Sequence, residues 1–182
     1  ARVIAAVNFE VDSPRVAGAE ARALVSGLGP YLQALALGNE PELYSGVTWF
    51  SLNGKRYYGR PRSWNYSTFL QDYARLAKAL PRSIPLAGPD VGSASWINQL
   101  GSFLKSEPRV KIAGVHRYPL KQCTPTPKVT ISELLTPGST RGLAAGLEGS
   151  VRAAHAHHAQ FRLDETNSVS CGGEQGVSNT FA

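Results

Sequence analysis

Five apolar runs, each breaking off into polar residues, constrain this chain more than any other feature. They are Val3-Ile4-Ala5-Ala6-Val7-Asn8-Phe9, Leu35-Ala36-Leu37-Gly38-Asn39, Ile84-Pro85-Leu86-Ala87-Gly88-Pro89, Val110 to His116 and Phe161 to Glu165. Continuous apolar runs of this length mark strands buried on both faces. Helical patterns lie between them. Ser13 caps a first helix, Pro14 opens it and Gly27 closes it. Phe69, Leu70, Tyr73, Leu76, Ala77 and Leu80 fall at helical spacing in a second. Trp96, Ile97, Leu100, Phe103 and Leu104 mark a third, stopped by Pro108, and Leu143, Leu147, Val151 and Ala154 a fourth. Strand and helix in alternation mean a parallel sheet with right-handed crossovers.

Every run ends in residues that carry chemistry: Asn8 and Glu10, Asn39 and Glu40, Asp90, His116 and Tyr118, Asp164 and Glu165. In a (β/α)8 barrel the C-terminal ends of the strands converge on the active site. In a doubly wound sheet they line a crevice. No GxGxxG or P-loop occurs, which favours the barrel. The expected class is therefore α/β, a (β/α)8 TIM barrel of which this chain supplies about five β/α units. At 182 residues the chain is long enough for one domain with a real core. Residues 1–182 are expected to form a single, partial barrel domain.

Gly38-Asn39-Glu40-Pro41 is the sharpest of these strand ends. The residue before a proline is pushed towards extended geometry, so Glu40 is expected to stay strand-like and stiff. A carboxylic acid held there is a candidate proton donor, and Glu165 is its candidate partner across the mouth. Retaining glycosidases need such a pair: one acid protonates the leaving oxygen and the other carboxylate attacks the anomeric carbon, about 5–5.5 Å away. The alternative is a pair of ordinary rim carboxylates in ion pairs. Glu42, beyond the proline, reads as a rim or solvent residue, and Glu10 and Asp164 as rim groups.

Composition bounds the rest. The chain is 42% hydrophobic and 18% charged, with no apolar run near membrane-span length and no signal peptide. It contains no Met, so a processed or excised piece is expected. A net charge of +6 suits acidic ligands or plain solubility. Lys55 to Arg62 interleaves aromatics with cations but contains Gly and Pro, so it reads as surface loop and not as a nucleic-acid site. His155, His157 and His158 close a helix, where cations suit the macrodipole, and no metal site is expected. Trp49 and Trp64, in the long loop from Tyr44 to Asn65, suit a sugar platform; Trp96 belongs to a core stripe. Asn65-Tyr66-Ser67 is a glycosylation sequon.

Several motifs resemble one family in order along the chain. Leu37-Gly38-Asn39-Glu40-Pro41 resembles the acid/base strand of clan A glycoside hydrolases. Gly88-Pro89-Asp90-Val91-Gly92 and His116-Arg117-Tyr118 are similar to the fifth and sixth strands of glycoside hydrolase family 79, the heparanase and β-glucuronidase family. Asp164-Glu165-Thr166-Asn167-Ser168, with Gly172-Gly173 and Gly176 to Ala182, resembles its nucleophile strand and the start of its seventh helix. The resemblance covers barrel strands three to seven. It implies a retaining hydrolase of β-linked uronic acids, with Glu40 as acid/base and Glu165 as nucleophile. It implies that Asn39 binds the sugar 2-hydroxyl, Tyr118 orients Glu165, and the Gly172 N–H binds the uronate carboxylate. Asn8 and His116 join the substrate-binding set as neighbouring strand ends. The chain departs from the family at Ser93-Ala94-Ser95-Trp96, where animal heparanases are polar and basic, and at Ser170, where some bacterial relatives place Tyr.

The partner implied is a carbohydrate, with an acidic sugar expected. No cofactor is implied, and the remainder of a parent chain is needed to close the barrel. The alternative is a non-catalytic carbohydrate-binding relative of the same fold. A polysaccharide substrate implies a secreted or extracellular setting, periplasmic if the source is bacterial. That setting permits the one disulfide available, Cys123 to Cys171, since both follow the ends of neighbouring strands.

Overall fold

In the computed structural model, which describes residues 2–180, the described residues form nine strands and seven α-helices, and helices separate the five long strands along the chain. The strands are β1 (Val3–Val7), β2 (Leu32–Leu37), β3 (Phe50–Leu52), β4 (Lys55–Tyr57), β5 (Leu86–Val91), β6 (Val110–His116), β7 (Leu120–Lys121), β8 (Gln160–Glu165) and β9 (Val169–Ser170). The helices are α1 (Pro14–Leu28), α2 (Tyr66–Ala77), α3 (Ala94–Ile97), α4 (Leu100–Ser106), α5 (Ile131–Leu134), α6 (Leu143–Ala145) and α7 (Glu148–Ala156). Phe181 and Ala182, the end of the last family-like motif, lie outside the described residues.

The five long strands pair in the order β1-β2-β5-β6-β8, and every pairing is parallel. All five expected strands are present, with shifted bounds: β2 begins at Leu32 and β1 stops at Val7. The helices cover one face only. Ala17 and Ala21 of α1, Phe69, Tyr73 and Leu76 of α2 and Leu100, Phe103 and Leu104 of α4 bury against Val7, Leu35, Leu37, Leu86 and Val115 of the sheet. Phe69 and Phe103 stack at 5.8 Å and Tyr73 meets Phe103 edge-on at 4.9 Å. Truncating such a buried ring costs about 3–5 kcal/mol. A doubly wound sheet would carry helices on both faces. Here the opposite face holds a small apolar cluster of Ile4, Ala34, Ala36, Ala87 and Ile112, with no helix among its members.

Caps explain the helix starts. Ser13 Oγ accepts from Val16 N–H at 3.3 Å. Asn65 Oδ1 accepts from the N–H groups of Ser67 and Thr68, and Thr68 answers with a bond from the Asn65 N–H, a reciprocal cap. The sequon asparagine therefore serves α2. Its Nδ2 already donates to Ser63 O at 3.0 Å.

Two small sheets were not anticipated. β3 and β4 form a hairpin inside the expected loop, turning at Asn53-Gly54, both at positive φ. That dipeptide favours the tight hairpin turn whose twist matches its strands. β7 and β9 pair in parallel beyond the ends of β6 and β8. Just past them Cys123 and Cys171 are joined as a disulfide, Cα to Cα 5.2 Å. Among the described residues no helix is long and apolar enough to cross a membrane.

Candidate active site

The C-terminal ends of β2, β5, β6 and β8 bring Glu40, Asp90, His116 and the Asp164-Glu165 pair to one mouth. Glu40 reaches it by a route the sequence did not suggest. It is not strand-like: φ is 44° and ψ is 54°, in the left-handed region. Two bonds override the preference that proline imposes. The Glu40 N–H donates to Asp90 O at 2.8 Å, and the Leu43 N–H donates to Glu40 O at 2.9 Å, closing a turn of 3-10 helix over Pro41–Leu43. A left-handed residue of this type costs about 1–3 kcal/mol, which the tertiary bonds offset.

His116 is the hub, at 3% exposure. Its Nδ1 lies 3.1 Å from Glu40 Oε1 and 3.6 Å from Glu165 Oε2, and its Nε2 lies 3.8 Å from Asp164 Oδ1. One ligand atom each from Glu40, His116 and Glu165 fall within 4.8 Å of one another. Burial alone would lower the His116 pKa. The hydrogen bond to Glu40 and the charges of Asp164, Glu165 and Glu40 outweigh it and raise the pKa. Tyr118 donates its hydroxyl to Glu165 Oε1. That bond, with some burial and the anions nearby, pushes the phenol up to about 12, so Tyr118 remains a donor at any working pH.

Beneath this trio sits a second acid pair. Asp90 is 5% exposed and left-handed, at φ 53°. The register between β5 and β6 shifts between Pro89 and Val91, because proline offers the ladder no donor. Asp90 Oδ1 and Asp164 Oδ2 face each other across Gly114, where a side chain on the glycine would collide with both. Burial, then the hydrogen bond and charge of Asp164, raises the Asp90 carboxyl well above its ordinary range.

Glu42 is a correction. It is not a rim or solvent residue: its Oε1 accepts from the N–H of Gly92 at 2.5 Å and of Ser93 at 2.7 Å. Burial raises its pKa, opposed by these backbone bonds and assisted by the charge of Glu40. Trp64 is a second correction. It packs on the core, its indole donates to Pro41 O at 2.8 Å, and the Arg60 guanidinium lies 4.7 Å over its ring. Trp49 is different: 40% exposed, it shares a cleft wall with Asn39, Glu40 and Tyr44.

Arg60 was hidden in the basic stretch read as surface loop. The side chain is buried and bonds to Phe9 O, Glu10 O, Gly59 O, Asp12 and Asp72. It locks the β4–α2 connection to the end of β1. Tyr44 was also missed. Its hydroxyl accepts from the Asn39 N–H at 3.1 Å and burial pushes its pKa to about 12. The signals were faint: an arginine among prolines, and a tyrosine at the start of a loop.

The main cleft, about 680 Å³, is lined by Glu40, Glu42, His116, Tyr118 and the cations Arg117 and Lys121, with Ser93, Ser170 and the disulfide on its walls. Not every expected site residue converges there. Asn39 and Asn8 line a neighbouring cleft with Glu10 and Tyr44, and Asn8 Oδ1 is already used by the Val11 N–H at 2.9 Å. Gly172 is exposed at φ 93°, one residue past the disulfide. The histidines at the end of α7 form no ligand cluster among the described residues; Glu40, His116 and Glu165 are the group close enough to hold an ion.

No family model and no curated protein matches this chain. Among solved structures it is similar to a 4-O-α-L-rhamnosyl-β-D-glucuronidase from Fusarium oxysporum in complex with Rha-GlcA. That likeness has a TM-score of 0.69 and 20% identity, over 94% of this chain and 36% of that one. It is also similar to a GH39 enzyme from Xanthomonas axonopodis pv. citri, at a TM-score of 0.54 and 15% identity, over 85% of this chain and 30% of that one. The chain thus spans about a third of the length of these enzymes. What the likeness shows is the fold, a five-stranded parallel part of a (β/α)8 barrel.

Proposed function

We propose that this chain carries the two-glutamate centre of a retaining glycoside hydrolase acting on β-linked uronic acids or closely related sugars. The observation that carries the reading is the approach of the Glu40 and Glu165 carboxylates at the ends of β2 and β8, one oxygen of each lying within 4.8 Å of the other. Retention needs a separation of about 5–5.5 Å, whereas inversion leaves room for a water at about 6.5–9.5 Å.

In this reading Glu165 attacks the anomeric carbon while Glu40 protonates the departing glycosidic oxygen. A glycosyl ester forms on Glu165. Water, deprotonated by Glu40, then hydrolyses it and returns both groups to their starting states. Tyr118 donates to Glu165 and aims the attacking oxygen. His116 lies between the two acids, so the proton destined for the leaving group rests on Glu40 or on Nδ1. Arg117 and Lys121 give the cleft the charge to hold a sugar carboxylate, to which the Gly172 N–H would add a donor. Asn39 and Trp49 supply a 2-hydroxyl partner and a ring platform from the next cleft.

A barrel completed by further chain and an extracellular setting belong to the same proposal. The bare face of the sheet supports the first and the disulfide supports the second. The experiment uses chromogenic β-glycosides and a mechanism-based fluoroglycoside label in the complete polypeptide. Glu165→Gln should abolish labelling while binding persists. Glu40→Ala should cripple kcat/KM on substrates with poor leaving groups and spare it on activated ones, for which the loss falls on kcat through slowed hydrolysis of the ester. A label on another carboxylate, or a purely binding protein with no turnover on any β-glycoside, overturns the reading.

A further inference from the structure

Glu42 takes no part in the reaction written above, yet it is placed at a cost. Its carboxylate is turned inward, with Oε1 on the N–H groups of Gly92 and Ser93 and with Oε2 buried and without a hydrogen-bond partner. A buried carboxylate survives only if its bonds repay the lost hydration, and two charge-assisted backbone bonds are its compensation. What those bonds hold is the turn that carries Glu40.

That turn is doubly disfavoured. Glu40 is left-handed, and it precedes a proline. Three contacts keep it there: Glu40 N–H to Asp90 O at 2.8 Å, Trp64 Nε1 to Pro41 O at 2.8 Å, and Glu42 to Gly92 and Ser93. The first and third tie the turn to the end of β5 from either side of Glu40. Gly92 is the shared element. A Cβ on Gly92 would lie 2.7 Å from Glu40 Oε1, so the Glu40 carboxyl rests directly on the backbone that Glu42 grips.

We propose that Glu42 is the positioning residue for Glu40. By pinning Gly92 and Ser93 it fixes both the left-handed turn and the floor under the Glu40 carboxyl, and so sets the distance over which Glu40 delivers its proton. Proton transfer to a leaving oxygen depends steeply on such placement. The proposal rests on the reading of Glu40 as acid/base.

The test uses the complete polypeptide and aryl β-glycosides with good and poor leaving groups, reading kcat and KM separately. Glu42→Ala should lower kcat/KM on poor leaving groups by about tenfold to a hundredfold, with kcat/KM on activated substrates little affected and any loss there confined to kcat. Glu42→Gln, which keeps the shape and one accepting oxygen, should fall between and serves if the alanine variant does not fold. In a Glu40→Ala background, Glu42→Ala or Glu42→Gln should add nothing on any substrate. Equal losses of kcat/KM on both substrate classes, or an undiminished further loss in the Glu40→Ala background, overturn the positioning role. If Glu40→Ala alone lowers kcat/KM on both classes equally, the acid/base reading fails first, and the role of Glu42 falls with it.

Discussion

At the scale of single residues, Asp90 is the group whose charge the fold most opposes. Its carboxyl is buried, faces Asp164 across Gly114 and is held well above its ordinary pKa. Below about pH 4, near the unfolded value, folded and unfolded chains are both protonated there. As pH rises, the unfolded chain releases the proton while the folded chain retains it, so stability falls until the folded pKa is passed. Asp90→Asn has no proton to lose, tolerates the left-handed backbone and can still donate to Asp164. It should therefore be the more stable protein near neutrality, with the difference growing from pH 4 upward. Thermal melts at pH 4 and pH 7.5 measure this, and a pH-independent difference would show the pair is not holding a proton. His116 has the same sign, since its raised pKa gives stability that is present below about pH 6.5 and lost at higher pH.

At the scale of elements, the weak point of an open α/β unit is its connections, and the one between β4 and α2 is held chiefly by a buried arginine. Arg60 joins the β4–α2 segment to the end of β1 through three carbonyls, two carboxylates and the faces of Phe9 and Trp64. Trp64 in turn holds Pro41, so the loop and the Glu40 turn share a support. Removing one partner of a buried ion pair costs about 3–5 kcal/mol. Asp12 is 46% exposed on its side chain and can rehydrate, which reduces the figure. Arg60→Ala should cost about 2–3 kcal/mol by chemical denaturation and weaken activity through the Glu40 turn. Arg60→Lys should recover little, because an ammonium cannot span these acceptors as a planar fork does. A loss under about 0.5 kcal/mol would mean the loop is held elsewhere.

At the scale of the molecule, the described residues form a five-stranded parallel sheet with helices packed on one face and a small apolar cluster on the other. β1 and β8 are its edges. On the uncovered face Arg162 reaches across to Gln33 at 3.2 Å, a polar contact among small apolar neighbours. Closing a barrel requires strands whose number, tilt and stagger agree, and five parallel strands do not supply that. On the proposed reading, the 182-residue chain by itself should turn over substrate poorly and associate through the bare face. Sedimentation alongside assay of β-glucuronides tests this. A monomeric 182-residue chain with an ordinary enzymatic rate would contradict it.

The strand ends were legible because their signal is local. An apolar run that breaks off at Asn39-Glu40, His116 or Asp164-Glu165 announces a buried strand reaching a polar mouth, and parallel alternation brings those ends to one side. The hairpin at Asn53-Gly54 is as legible, its turn chemistry being contained in two residues, although the Gly and Pro around it give the stretch the composition of a loop. What only the tertiary structure decided depends on partners far away in the chain. Glu40 is left-handed because Asp90 O, fifty residues on, takes its N–H, and no property of the Glu40-Pro41 dipeptide reveals that. Glu42 and Trp64 turned inward and Arg60 sank into the core because acceptors and ring faces waited there. Charge, aromaticity and spacing describe a side chain's own preferences. Where it points is set by which distant groups remain unsatisfied once the chain has closed around it.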